Sequence, residues 1–244
     1  MDNNAENRLI PIGEAAKMLG ISIDTLRRWD KKGVFPAIKS PSGHRYYSRV
    51  KIELHSSELY TIAKNWMTAK NNKPPVPDFY CESQPRFQSR LMKMQTLLEQ
   101  SETALPWFSL IILAIGEMGN NSFDHNIGNW PNIPGIFYAF DLKNGQVVLA
   151  DRGRGVLTTL RNARPELASD VEALRVAFTE YISGRTPEKR GNGLKSVRAV
   201  VETAPISIVF RSGNALATLR HGEEMRIEKT EEDISGCLIE LRYK

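Results

Sequence analysis

Residues 112–126 read ILAIGEMGNNSFDHN, and this stretch decides the fold of the larger part of the chain. Leu110, Ile111, Leu113, Ala114 and Met118 supply the apolar surface that anchors a helix against a sheet. Glu117, Asn121 and Asp124 follow at spacings of four and three residues, which places all three on one helical face. A row of carboxylate, amide and carboxylate on an otherwise apolar helix is costly to bury unless it serves something. A carboxylate able to polarise water, one turn from a carboxamide oxygen suited to a hard cation, fits metal-assisted phosphoryl chemistry. A solvated polar face is the competing reading of the helix taken alone.

Downstream, residues 135–141 (GIFYAFD), the turn Lys143-Asn144-Gly145 and residues 146–150 (QVVLA) predict a β-hairpin closed by Asn-Gly. Residues 151–155 (DRGRG) end that hairpin, and residues 190–194 (RGNGL) open a later helix. The succession of E-x-x-x-N-x-x-D on a helix, D-x-G-x-G after a strand and G-x-G-L before a helix resembles the GHKL ATPases, the family of gyrase, heat-shock chaperone, histidine kinase and MutL. The resemblance covers roughly residue 105 to the C-terminus. It implies a Bergerat-type α/β sandwich that binds ATP with Mg2+. By the same resemblance Glu117 would be the general base for water, Asn121 the magnesium ligand and Asp151 the acceptor of the adenine amino group. Gly153, Gly155, Gly191, Gly193 and Leu194 would border the nucleotide, and Asp124 stands where two branches of the family carry an acidic residue near it. Many members open the last strand with Gly-Thr, whereas this chain has Gly236-Cys237, leaving the hydroxyl to Ser235 or missing. His125 would cap the helix or contact phosphate. No histidine lies between Phe87 and Glu102, which disfavours an autophosphorylating kinase.

The chain has 244 residues, long for one domain and comfortable for two, and is 41% hydrophobic without an extended apolar run. The block around Leu110 to Ile115 is too short to span a membrane and no signal-peptide core is evident, so a cytoplasmic protein without a membrane partner is expected. Cys81 and Cys237 stand apart, without neighbours at metal-ligand spacing, and predict reduced thiols. The net charge of +5 is localised: residues 1–80 hold 13 Lys and Arg against 8 Asp and Glu, leaving 20 of each afterwards. Excess of this sign in one module favours a polyanionic partner for it.

Residues 14–19 (EAAKML) predict a short helix, Gly20 to Ser22 a turn, and Ser22 an N-cap for a second helix from Ile23 to Lys31. Ala15, Leu19, Ile21, Leu26 and Trp29 form the expected core, leaving Thr25, Arg27, Arg28 and Lys31 outward. Residues 37–47 (AIKSPSGHRYY) predict two short strands around a Pro-Ser-Gly turn. Residues 9–54 resemble the winged helix-turn-helix of the MerR superfamily. That implies double-stranded DNA as partner, with the second helix in the major groove and Lys39, His44 and Arg45 of the wing on phosphates or the minor groove. A helical hairpin for protein contacts is the alternative.

The expected organisation is a DNA-binding domain at 1–70, a Pro-rich linker at 71–86 and an ATP-binding α/β domain at 87–244. Phe87, Leu91, Met94 and Leu98 give an amphipathic helix that packs on the sheet, with a homodimer seam as the lesser alternative. A mixed α/β sandwich with a largely antiparallel sheet follows. The expected function is a regulator whose ATPase modulates DNA or partner binding. An anti-sigma-type protein serine kinase and a DNA-binding accessory factor of a mobile element or defence system are the alternatives.

Overall fold

The computed structural model describes residues 9–19, 22–33, 35–49, 51–52, 58–71, 73–101, 106–180 and 193–243. The chain divides between Ile62 and Ala63 into two compact units. Among the described residues no helix is long and apolar enough to cross a membrane.

In the N-terminal unit, β1 (Leu9–Pro11) leads into α1 (Ile12–Met18) and α2 (Ile23–Lys31). The α2 boundaries are those the Ser22 cap predicts, and the Ser22 hydroxyl accepts the Thr25 N–H at 3.1 Å. The wing is β2 (Ile38–Lys39) and β3 (Arg45–Ser48), antiparallel, and β3 also pairs with β1 to give a sheet ordered β1-β3-β2. Ala15 and Leu26 are buried with Ile10, Phe35, Tyr47 and Ile52, and Leu19 and Trp29 pack on them. Ile21 lies outside the described residues.

The second unit begins within α3 (Glu58–Thr68) and continues through a 3-10 turn (Pro77–Phe79), β4 (Tyr80–Cys81), α4 (Gln84–Glu99) and α5 (Phe108–Asp124). Then follow β5 (Ile136–Asp141), β6 (Gln146–Asp151), α6 (Gly155–Leu160), α7 (Asp170–Thr179), α8 (Gly193–Thr203), β7 (Ile206–Arg220) and β8 (Arg226–Tyr243). The sheet is antiparallel throughout, ordered β4-β5-β6-β8-β7. Ile136, Tyr138, Leu149, Ile208 and Ile239 present one face to α4, α5, α7 and α8, making a mixed α/β layer structure.

Residues 206–220 form one long strand, in which Ser212 to Ala215 is a bulge within a ladder that continues to Thr218 opposite Arg226. There Gly213 lies against the Asp170 carboxylate, which accepts the Asn214 N–H at 3.2 Å. One expectation changes: the Pro-rich stretch is not a free linker. Trp66 Nε1 donates to the Lys73 carbonyl at 3.1 Å, Phe79 and Trp66 pack on Phe137, and Tyr80 pairs with Phe137 in the sheet. Phe137 points away from Tyr138 and the helices, so this segment covers the second sheet face and shields it from water.

Helix α4 buries the expected seam of Phe87, Leu91, Met94 and Leu98, and the Tyr138 hydroxyl donates to Met94 Sδ at 3.2 Å. Helix α4 packs tightly on α5 at Gly119, where a Cβ would lie 2.1 to 2.8 Å from Phe87 ring atoms. Replacing a helical glycine by alanine ordinarily stabilises by about 1 kcal/mol. Here the ring has no such room, so Gly119→Ala should destabilise this unit by about 1 to 3 kcal/mol, read as a lowered urea midpoint at unchanged slope. A raised midpoint would contradict the packing described.

Candidate functional site

The cleft of interest lies where α5, the end of β6, α6 and the start of α8 converge, with a volume of about 300 Å³. Its floor is Asp151, the last residue of β6, a strand paired on both sides by β5 and β8. Both neighbours fix its position and exclude water. The Asp151 carboxylate accepts the Ser122 hydroxyl at 2.8 Å and the Gly153 N–H at 2.9 Å, with a further backbone bond from Cys237. Burial nonetheless dominates and pushes its pKa up to about 6, against the lowering effect of those bonds.

Asn121, Asp124, Gly155, Gly193 and Leu194 line the same cleft. Glu117 stands at its edge: a Cβ on Gly193 would come 2.7 Å from Glu117 Oε2 and 2.8 Å from Asn121 Nδ2. The backbone that opens α8 therefore abuts the ends of both side chains. Gly153 is buried behind Asp151 and serves as its donor. Gly191 lies outside the described residues. His125 is the exposed C-cap of α5, and its carbonyl accepts from Arg154 at 3.0 Å.

Several residues of the site escaped the sequence. Ser122, beside Asn121, orients Asp151. Asn126 donates to the Ser122 carbonyl at 2.8 Å and accepts the Arg154 N–H at 3.0 Å, fastening the 151–155 loop to α5. Near Cys237, the Ser212 hydroxyl accepts the Val156 N–H at 2.9 Å and donates to the Gly236 carbonyl at 3.1 Å, whereas Ser235 is exposed. Lys195 lines the cleft with Glu180; burial lowers its pKa and the Glu180 carboxylate opposes that shift. Only Lys195 carried a signal, standing directly after G-x-G-L. Arg152 turns to the other side of the strand end, where its guanidinium meets the Asn71 carbonyl at 2.8 Å, the Ala69 carbonyl, and the Trp66 ring with 5.6 Å to its centroid.

On the N-terminal unit, Arg28, Lys31 and His44 are exposed, and Thr25 is tied to Ser22. Arg27 forms an exposed ion pair with Asp24 at 3.1 Å. Arg45 differs from the expectation of an outward wing cation: its Nε donates to Asp30 Oδ2 at 2.7 Å, and Lys39 Nζ lies 3.4 Å from the same oxygen. Burial opposes ionisation of Asp30, yet the Arg45 bond, the Ala37 N–H and Lys39 outweigh it and hold the carboxyl below its ordinary range.

Residues 11–47 match the family model described as MerR family regulatory protein. No curated protein matches the chain. The match places a MerR-type DNA-binding domain, the mark of a regulatory protein, in the N-terminal unit.

The raised Asp151 pKa has a consequence for stability. In the unfolded chain this carboxyl releases its proton near pH 3.8, but in the fold only near pH 6. The folded state therefore binds the proton more tightly, and stability falls as pH rises through that window, by on the order of 3 kcal/mol. Asp151→Asn should abolish this component and raise stability above pH 6, measured as the difference between variant and wild-type denaturation curves from pH 4 to 7. A constant difference across that range would contradict the burial described.

Proposed function

We propose that the chain is a DNA-binding regulator whose C-terminal unit binds ATP with Mg2+ and hydrolyses it. The observation that carries this reading is the Asp151 carboxylate, withdrawn from water at the cleft floor with its orientation fixed from α5 and from its own loop. A carboxylate has about four acceptor sites, and the capacity left after these bonds suits a single N–H donor. The adenine base offers such a donor in its exocyclic amine, whereas guanine carries a carbonyl there.

The cleft walls fit the rest of a nucleotide. Lys195 supplies a cation, and the close approach of the Gly193 backbone to Glu117 and Asn121 supports a loop that edges a bound group. Bound Mg-ATP would supply the transferable phosphoryl group and the charge for that chemistry. This chain's own residues would divide the remaining work. Asp151 selects and orients the base, Asn121 offers a carboxamide oxygen to the cation, and the Glu117 carboxylate takes the proton of an attacking water. The MerR-type unit would read DNA through exposed Arg28 and Lys31 on α2, with Lys39 and His44 on the wing.

Glu117→Ala tests the division of labour. A general base contributes about 100-fold or more to rate, so ATP turnover should fall by at least that factor while ATP affinity is retained. Turnover equal to wild type would remove Glu117 from the reaction. Loss of affinity together with turnover would make it a structural residue instead.

A further inference from the structure

Asp30 is the penultimate residue of α2, and its side chain is only 5% exposed although it lies on a helix otherwise rich in solvent-facing charge. Three donors converge on it: Arg45 Nε at 2.7 Å and Lys39 Nζ at 3.4 Å on one oxygen, and the Ala37 N–H at 3.0 Å on the other. Every one of them belongs to the wing or its lead-in. The carboxylate thus fastens the recognition helix to the wing, and charge-assisted bonds of this kind are the stronger ones. The pairing also engages a cation, because the Arg45 side chain is 26% exposed and directed at Asp30 while Lys39 keeps 55% of its surface.

Phosphate attraction supplies essentially all of non-specific DNA binding, and each cation that meets a phosphate adds to its salt dependence. A wing whose arginine is already neutralised draws less on that attraction, while the fixed geometry between helix and wing favours sites where both fit. We propose that Asp30 is a specificity-determining positioning residue, which sets the wing against α2 through Arg45 and Lys39 and withholds Arg45 from DNA phosphates. The proposal rests on the DNA-binding reading of the N-terminal unit.

The test is a salt series of binding by the full chain to short duplexes of random sequence, comparing wild type, Asp30→Asn and Asp30→Asn with Arg45→Gln. Asp30→Asn should bind random duplex more tightly, and its slope of log affinity against log salt should steepen by roughly one, the contribution of one added phosphate contact. The double variant should return to the wild-type slope. A merely structural role for Asp30 would weaken binding or flatten the slope, and either result overturns the proposal. A second measurement is independent of how well the variant folds: the Arg45 Nε–H resonance of the wild type, assigned by its loss in Arg45→Gln. Its staying in place on addition of duplex supports the proposal, and its shifting overturns it. Absence of any salt-dependent binding by the wild type would overturn the DNA-binding reading itself, which sets that failure apart from a failure of the role given to Asp30.

Discussion

A carboxyl group withdrawn from water at the end of β6 is the constraint to which the C-terminal unit answers. Leaving a buried carboxylate without partners would cost several kcal/mol, so the surroundings are built to hold it. A central strand brings it to the cleft floor, Ser122 reaches it from α5, and Gly153 reaches it from the loop that follows. The supporting bonds spread outward, with Asn126 holding that loop to α5 and Ser212 holding it to β7 and Gly236. Even so the carboxyl is left with a raised pKa of about 6. A group kept at such a cost to stability is a candidate for function.

The parts of this arrangement that were legible in the sequence are those governed by local periodicity. The 3.6-residue rhythm of α5 placed Glu117, Asn121 and Asp124 on one face, and the alternation of β5 and β6 with their Asn-Gly turn placed Asp151 at a strand end. What stayed hidden was long-range or concealed by composition. Ser122 reads as one more small residue in an apolar helix until the strand 29 residues away is placed beside it. The first half of β8 is charged and solvent-facing, so residues 226–233 carry no alternation that marks a strand. Their pairing is imposed by β7 instead. The cover of the second sheet face by Trp66 and Phe79 likewise depends on Phe137, far along the chain, and the prolines between them read as a tether.

The N-terminal unit shows the same division on a smaller scale. The Ser22 cap, the length of α2 and the two wing strands follow from neighbouring residues. The bond between Asp30 and Arg45 spans 15 residues and reverses the simplest electrostatic reading of the wing. Charge counted along the chain overstates what that wing offers a polyanion, because one of its cations is already paired. Both units thus turn on a carboxylate that solvent hardly reaches, one held by neutral donors and the other by cations. At Asp151 burial dominates its donors and raises the pKa, whereas at Asp30 the Arg45, Ala37 and Lys39 donors together outweigh burial and lower it.

The central claim is that Asp151 receives the amino group of an adenine nucleotide, and calorimetric titration of the full chain with ATP and with GTP at neutral pH tests it most directly. The account predicts that ATP binds and that GTP binds far more weakly, since a guanine carbonyl would face the carboxylate. Asp151→Asn should lower ATP affinity by roughly ten- to a hundred-fold, the worth of about 1.5 to 3 kcal/mol for a hydrogen bond to a charged group. Equal affinities for the two nucleotides, or ATP binding unchanged in Asp151→Asn, would contradict it.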